Sequence, residues 1–344
     1  MKARPAITMA LAGLTLSLTG CGLRLVVVHA EIDPQDIVAI NPANPALQEE
    51  EDGENSIRTA PQVSASADQV ALSYDGFLWS LTKMPFVAAD EAAGERDLVL
   101  IDTGLAGSPG VTLDVVARRR APVSLGDQAI AHVDALFLSG LTLRDLPAVI
   151  EVETWEYRLL GVPVYRLSGW VICIPPLEQV RYLCFDNVGA EVTFGVTSSF
   201  EPDPAWQWAE FPLSYPDGRP WATLPVGGQD LEILVDSAGG TNLILSPAHW
   251  ALIADKVKVL KHREGRVPTW GGFEPIDRYK VEALTLGPIV LRETWVWVRA
   301  GPDAEARPSV IGLGPLHDTV VVFDFEHARL LVRADAAVSA SPDR

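Results

Sequence analysis

Residues 98–104 read Leu-Val-Leu-Ile-Asp-Thr-Gly, an apolar run that leads directly into a carboxylate, a hydroxyl and a glycine. Residues 231–239 read Leu-Glu-Ile-Leu-Val-Asp-Ser-Ala-Gly and repeat this arrangement. Each stretch predicts a buried strand that ends in a turn, because aliphatic and β-branched residues favour strands and small residues let the backbone reverse. A buried carboxylate is costly unless a partner compensates it. If Asp102 and Asp236 face each other, the pair can share one proton.

The composition limits the class of protein. The chain has 344 residues, of which 48% are hydrophobic and 21% are charged, so it can bury one large core or two modest ones. Its formal net charge of −18 argues against a nucleic-acid partner, because phosphate binding needs a basic face.

The N-terminus resembles a bacterial lipoprotein signal peptide. Lys2 and Arg4 precede an apolar run over residues 6–18, and residues 18–21 read Leu-Thr-Gly-Cys, like a lipobox. The resemblance implies a signal peptide at residues 1–20, a lipid on Cys21 that attaches the chain to a membrane, and a place in the cell envelope, at the outer membrane or facing the periplasm. The alternative is a transmembrane helix, but the run is shorter than the roughly 20 residues that span a bilayer.

Two further features follow from export. Residues 21–69 predict a flexible linker, since Pro, Asn, Glu and Ala dominate residues 31–68 and offer little apolar surface to offset ordering entropy. The apolar residues 25–28 interrupt this pattern, and whether they pair as a strand stays open. Cys173 and Cys184 remain once Cys21 is lipidated, and an oxidising compartment favours a disulfide between them. Two buried free thiols are the alternative.

At the C-terminus, residues 336–344 predict a disordered tail.

The central part of the chain contains an internal repeat. From about residue 70 to residue 332, short apolar runs alternate with Gly, Pro and Asp turns, which predicts a mostly β fold. Residues 133–145 match residues 281–293 at a constant offset of 148, and residues 171–177 line up with residues 310–316. Because these matches occur in the same order, the sequence predicts two lobes built from one β unit, at residues 70–203 and 204–335.

The paired motifs and their order resemble the pepsin and retropepsin superfamily of aspartic proteases. Each lobe of that family has an Asp-Thr/Ser-Gly motif, a flap hairpin, and a strand of two hydrophobic residues and a glycine behind the catalytic loop. The second half follows this order from Asp236 to the Val-Ile-Gly of residues 310–312. The resemblance implies a bilobal acid-protease fold, with two pseudo-symmetric β lobes and a central cleft.

The same resemblance implies the residues of the site. Asp102 and Asp236 would hold a water molecule, with one carboxyl as general base and the other polarising the scissile carbonyl. The supporting residues would be Thr103, Gly104, Ser237 and Ala238. A glycine-tipped flap that closes over substrate would contain Trp270, Gly271, Gly272 and Phe273. A first-lobe flap is expected between Arg118 and Gln128.

Three departures from the family pattern keep a second hypothesis open. Ala238 replaces the glycine of the second motif, Leu105 follows the first motif where a small residue is usual, and Cys173 stands where the first lobe should have glycine. The first hypothesis is an aspartic endopeptidase that hydrolyses peptide bonds in the cell envelope. The second is an inactive protease-fold lipoprotein that binds peptides or envelope proteins.

Other chemistry has little support in the sequence. None of the six histidines pairs with a His or Cys at metal-ligand spacing, and there is no Gly-x-Ser-x-Gly motif, so we expect neither a metal nor another cofactor. The arginine run at residues 118–120 predicts a solvated turn. Since both lobes lie in one chain, we expect a monomer that acts on a peptide or protein substrate.

Overall fold

The computed structural model is mostly β, which confirms the predicted class. It describes residues 16–17, 23–29, 61–90, 97–119, 121–125, 129–151, 153–159, 162–167, 169–240, 243–269 and 272–334. Cys21 and the predicted tail at residues 336–344 lie outside the described residues, as does the predicted signal peptide apart from residues 16–17.

The structure describes 27 strands. Those of the first half are β1 (Leu16–Ser17), β2 (Leu23–His29), β3 (Gln62–Ala65), β4 (Gln69–Ser73), β5 (Phe86–Ala88), β6 (Leu98–Ile101), β7 (Gly110–Thr112), β8 (Val123–Leu125), β9 (Ala129–Leu138), β10 (Leu141–Glu151), β11 (Glu153–Leu159), β12 (Val162–Leu167), β13 (Gly169–Ile172), β14 (Tyr182–Asp186) and β15 (Glu191–Gly195). Those of the second half are β16 (Trp208–Ser214), β17 (Trp221–Val226), β18 (Gln229–Val235), β19 (Leu243–Leu245), β20 (Val259–Thr269), β21 (Gly272–Val281), β22 (Ala283–Leu286), β23 (Ile289–Arg292), β24 (Trp295–Arg299), β25 (Val310–Ile311), β26 (Val320–Asp324) and β27 (Arg329–Arg333).

The helices are short and lie between strands. They are α1 (Gly76–Thr82), α2 (Leu113–Arg119), α3 (Ile174–Leu177), α4 (Pro247–Ile253) and the 3-10 helices η1 (Ala304–Ala306) and η2 (Gly314–Leu316). Asp75 begins α1 by accepting a hydrogen bond from the Leu78 N–H, and Ser246 begins α4 by accepting one from the His249 N–H. No helix in these stretches is both long and apolar enough to cross a bilayer.

Two large sheets contain most of the strands. One has the order β5-β6-β13-β7-β10-β9-β8, with β3 added to β10. The other has the order β20-β21-β24-β19-β25-β18-β17-β16-β27-β26-β14-β15-β4, with β22 and β23 attached at β17. One sheet of the molecule curls into a half-barrel. The last six strands of the second order come from both halves of the sequence. The halves are therefore joined by a continuous hydrogen-bonded sheet as well as by the chain.

The strand pairing repeats between the halves, as the sequence repeat predicts. Strand β6 pairs in parallel with β13, and β18 pairs in parallel with β25. Strand β7 is parallel to β10 and antiparallel to β13, while β19 is parallel to β24 and antiparallel to β25. Even a backbone irregularity recurs: Asp145 and Glu293, 148 residues apart, have the left-handed φ values 54° and 47°.

Parts of the predicted linker at residues 21–69 form strands, and residue 69 already belongs to β4. Residues 23–29 form β2, which pairs with β11, and residues 62–65 form β3, which pairs with β10. The physical reason is local composition. Three consecutive valines in β2 favour a strand, and Val63 and Ala65 in β3 alternate with polar residues and pack against the core.

The disulfide expected between Cys173 and Cys184 is also wrong, because both cysteines are free. Cys173 follows β13, and its thiol donates a hydrogen bond to the Gly107 carbonyl oxygen at 3.0 Å. Cys184 lies in the middle of β14, opposite Thr193 and Val322 in the other sheet. Burial raises the pKa of each thiol to about 12, which keeps both in the unreactive neutral form.

The arginine run at residues 118–120 is not a solvated turn. Arg118 and Arg119 end helix α2, and both pair with the buried carboxylate of Asp97 at the start of the strand that leads to Asp102. The Trp170 indole N–H lies 3.5 Å from the same carboxylate. This cluster fastens α2 to β6 and has a structural role.

Candidate active site

The two motif strands end in the same way. Asp102 follows β6 and its N–H donates to the Ile172 carbonyl oxygen at 2.9 Å, while Asp236 follows β18 and its N–H donates to the Ile311 carbonyl oxygen at 3.0 Å. Each Asp is therefore the last residue held by a parallel neighbour strand before its loop turns away.

Each carboxylate is then held by its own loop. The Asp102 Oδ1 accepts a hydrogen bond from the Gly104 N–H at 2.8 Å, and the Asp236 Oδ1 accepts one from the Ala238 N–H at 2.8 Å. The Gly239 N–H donates to the backbone carbonyl oxygen of Asp236 at 2.9 Å, which closes the turn after the second motif. Ala238 thus supplies a backbone donor, although its side chain differs from the family pattern.

A reciprocal hydrogen-bond network joins the two loops. Ser237 Oγ accepts from the Thr103 N–H at 3.0 Å and donates to the Ile101 carbonyl oxygen at 2.6 Å. Thr103 Oγ1 accepts from the Ser237 N–H at 2.9 Å and donates to the Val235 carbonyl oxygen at 3.0 Å. Thr103 and Ser237 are fully buried, so these four bonds are shielded from water and fix one motif against the other.

The network brings the two carboxyl groups together. Asp102 is 4% exposed and Asp236 is partly exposed, and their side chains are within hydrogen-bonding reach of each other. Burial, and then the charge of Asp236, raise the pKa of Asp102 well above its ordinary value. Burial also raises the pKa of Asp236, but the Ala238 N–H, the hydrogen bond with Asp102, the Gly239 N–H and the charge of Arg219 all lower it. Both carboxyls therefore hold a proton more readily than a free aspartate does.

The first motif requires a glycine because a side chain at position 104 would have no room. A Cβ added at Gly104 would stand 2.5 and 2.6 Å from the two carboxylate oxygens of Asp236, closer than side-chain atoms approach. Ala238, the matching residue of the second motif, instead packs against the apolar cluster of Leu78, Phe86 and Leu100. The departure at Ala238 is accommodated, whereas Gly104 has no such room.

The departure at Cys173 is accommodated as well. Gly312, its counterpart after β25, lies so close to the second motif that an added Cβ would be 2.5 Å from the Gly240 carbonyl oxygen. In the first half the Cys173 side chain is buried and its thiol reaches the Gly107 carbonyl oxygen. The loop of the first motif is thus shaped around a cysteine where the loop of the second is shaped around a glycine.

Hairpins stand where flaps were expected. Strands β20 and β21 form a long antiparallel pair that closes at Thr269 opposite Gly272, with Phe273 opposite Pro268. Trp270 and Gly271 lie outside the described residues. In the first half, β8 and β9 form a shorter hairpin that closes at Leu125 opposite Ala129. This hairpin begins at Val123 and not at Arg118, because residues 113–119 are helical.

Sequence reasoning missed one element of the site, the turn before β17. The N–H of Val235 donates to the Pro220 carbonyl oxygen at 2.9 Å, so Arg219 lies beside the second motif. A Cβ on Gly218 would be 3.6 Å from Ala106, so the same turn also reaches the loop of the first motif. The Asp-Gly pair at residues 217–218 indicated a turn, but only the strand register places it at the two carboxyls.

Comparison with known proteins does not add to this picture. No protein-family model matches the chain, and a search of curated proteins gives no match. Within the ranges that the structure describes, no three His, Cys, Asp or Glu side chains lie close enough together to hold a metal ion. The function must be argued from the chemistry of the two carboxyls.

Proposed function

We propose that this chain is an aspartic-type endopeptidase of the pepsin and retropepsin superfamily, with a bilobal fold and its active site between the lobes. The observation that carries the proposal is the pair of facing carboxyls held by the reciprocal network of Thr103 and Ser237. Four buried hydrogen bonds between two loops 134 residues apart serve to hold Asp102 and Asp236 in register. Stability alone does not require two adjacent buried acids, which repel each other when both are charged.

The pair can activate water without a covalent intermediate. A water molecule between the carboxyls attacks the carbonyl carbon of the peptide bond and passes a proton to Asp236, while Asp102 gives its proton to the carbonyl oxygen. The resulting diol then collapses. Asp236 gives its proton to the departing amine nitrogen, one diol hydroxyl returns a proton to Asp102, and the products are an amine and a carboxylic acid.

The remaining parts of the structure fit a peptide substrate. The hairpins β8–β9 and β20–β21 occupy matching places in the two halves and would close over an extended peptide as flaps. The halves pair through a continuous sheet within one chain, which supports action as a monomer. We further propose that a lipid on Cys21 holds the enzyme at the cell envelope, at the outer membrane or facing the periplasm.

Cleavage of a mixed peptide library between acid and neutral pH tests the proposal. The full chain is compared with Asp102→Asn, Asp236→Asn and the control Asp230→Asn, whose carboxylate is exposed at the start of β18. Loss of cleavage in both motif variants but not in the control supports a two-carboxyl endopeptidase. A folded chain that cuts nothing at any pH, yet binds library peptides, supports the alternative of a peptide-binding module.

A further inference from the structure

The residue opposite each carboxyl is fixed by strand register. In the first half, Phe86 lies opposite Leu100, and the Ile101 N–H donates to the Pro85 carbonyl oxygen at 3.2 Å. One further step along this antiparallel ladder places Met84 opposite Asp102.

The second half repeats this arrangement with a different residue. Trp221 lies opposite Leu234, and the Val235 N–H donates to the Pro220 carbonyl oxygen at 2.9 Å. The next step places Arg219 opposite Asp236. Since directly opposed residues in an antiparallel pair have Cβ atoms about 5 Å apart, each carboxyl has one close cross-strand neighbour.

The two neighbours differ in charge. Met84 packs against the apolar cluster of Leu78, Phe86 and Leu100, and its Cε approaches Gly240 of the second loop. It offers Asp102 neither a charge nor a strong hydrogen-bond donor. Arg219 offers Asp236 a guanidinium, which is a cation.

Arg219 is held in place by its own turn. Its Nε donates to the Asp217 Oδ2 at 2.8 Å, and its Nη2 is hydrogen-bonded to the same oxygen. The Asp217 Oδ1 accepts from the Trp221 indole N–H at 2.9 Å, and the guanidinium lies 5.6 Å from the centre of the Trp221 ring. The side chain is therefore pre-ordered beside the active site, although Asp217 offsets part of its charge.

We propose that Arg219 is a positioning residue that keeps the negative charge on Asp236 and leaves the proton of the pair on Asp102. The catalytic consequence of this charge distribution, with Asp236 as general base and Asp102 as general acid, rests on the proposed endopeptidase function. The order in which the two carboxyls ionise is inferred from the strand register and does not depend on that function.

The groups that face the pair agree with this assignment. The carboxyls lie together, the charge of Arg219 acts on Asp236 from the turn before β17, where Asp217 is its ion-pair partner, and the charge of Asp102 acts on the Cys173 thiol. Burial and the charge of Asp102 raise the pKa of Cys173 to about 12, so the thiol stays neutral and adds no charge. Arg219 is therefore the cation that distinguishes the two carboxyls among these groups.

The test follows the two carboxyls directly. The full chain is labelled with ¹³C at the aspartate carboxyl carbons, and the resonances of the pair are assigned with Asp102→Asn and Asp236→Asn. In the wild-type chain we expect Asp236 to ionise first as pH rises. In Arg219→Met its midpoint should rise by about half a pH unit or more, because the cation next to the loop of Asp236 has been removed.

Two further variants separate charge from structure. Arg219→Lys keeps a cation and should show less than half of that shift. The exchange Met84→Arg with Arg219→Met moves the cation to the other carboxyl and should make Asp102 ionise first. Arg333→Met is the matched control, because Arg333 also lies over a tryptophan, Trp206, but away from the site; it should leave both midpoints in place.

Two results would overturn the inference: Asp102 ionising before Asp236 in the wild-type chain, or an Asp236 midpoint that Arg219→Met leaves unchanged. Because the titration needs no substrate, it measures the charge order even if the chain cleaves nothing. If the chain does cleave, the pH at which kcat/KM rises on the acid side of its profile should increase in Arg219→Met together with the Asp236 midpoint. If the Asp236 midpoint moves and the pH profile of kcat/KM does not, Asp236 is not the base.

Discussion

Replacing Gly104 by alanine places a methyl group against the opposite carboxyl of the pair. The added Cβ would be 2.5 Å from Oδ2 and 2.6 Å from Oδ1 of Asp236, whereas ordinary contacts begin near 3.4 Å. Asp236 or the Gly104 loop must therefore retreat by about 1 Å. The reciprocal bonds of Thr103 and Ser237 resist that movement, because they hold both loops from behind.

The size of the effect follows from this displacement. Overpacking of this kind costs about 1–3 kcal/mol of stability. A misplacement of about 1 Å at reacting groups costs on the order of a hundredfold in rate. We therefore expect Gly104→Ala to remain folded, with a melting temperature several degrees lower, and to lose about a hundredfold or more in kcat/KM.

Peptide cleavage and thermal unfolding measured on the same samples check this expectation. Gly76→Ala is the matched control, since it adds the same methyl group where no atom lies within 4 Å and should change neither quantity. Ala238→Gly removes the methyl group at the matching position and should cost no more than about 1 kcal/mol. The steric argument fails if Gly104→Ala cleaves at the wild-type rate, or if Gly76→Ala is impaired to the same degree.

Three other substitutions probe the surroundings of the pair. Ser237→Ala leaves the Thr103 N–H without its acceptor and should cost about 1–3 kcal/mol in denaturant unfolding, with a non-additive effect when Thr103→Val is added. Because the pKa of Asp102 is raised, the folded chain keeps a proton that the unfolded chain releases above 3.8, so stability falls as pH rises from 3.8 through the raised pKa. Asp102→Asn should therefore raise the melting temperature by a few degrees at neutral pH and much less near pH 3, as a pH series of melting curves would show. Asp97→Ala removes the carboxylate that Arg118 and Arg119 share, although Arg118 keeps its pair with Asp114, and should cost about 1–3 kcal/mol by thermal unfolding without changing the pH profile of cleavage.

The local features of the site were predictable because they depend on neighbouring residues. An apolar run that ends in Asp and small residues specifies both a strand and its turn, so Asp102 and Asp236 were identified from the sequence. The hydroxyls of Thr103 and Ser237 were expected to support the carboxyls. Their reciprocal bonding, which joins backbone groups of the opposite loop, is a property of the assembled pair and is visible only in the structure.

The wrong or missing predictions concern features that depend on residues far apart in the sequence. Pairing Cys173 with Cys184 assumed that the two thiols approach each other, but one follows β13 and the other lies within β14 of a different sheet. Residues 23–29 form a strand because they pair with β11, which lies more than 120 residues later in the chain. The sequence near residues 23–29 does not reveal that partner. Arg219 was missed because its place opposite Asp236 follows from register and not from any motif.

The repeat is closest in the backbone and diverges in the side chains beside the carboxyls. Met84 corresponds to Arg219, Gly104 to Ala238, and Cys173 to Gly312, while the strand pairing around them is the same. Two identical copies related by a twofold axis would place the same residue beside each carboxyl, so neither carboxyl would be preferred as the proton carrier. A repeat within one chain has no such restriction. One carboxyl can lie beside an apolar side chain and the other beside a cation, and acid and base are then assigned before substrate arrives.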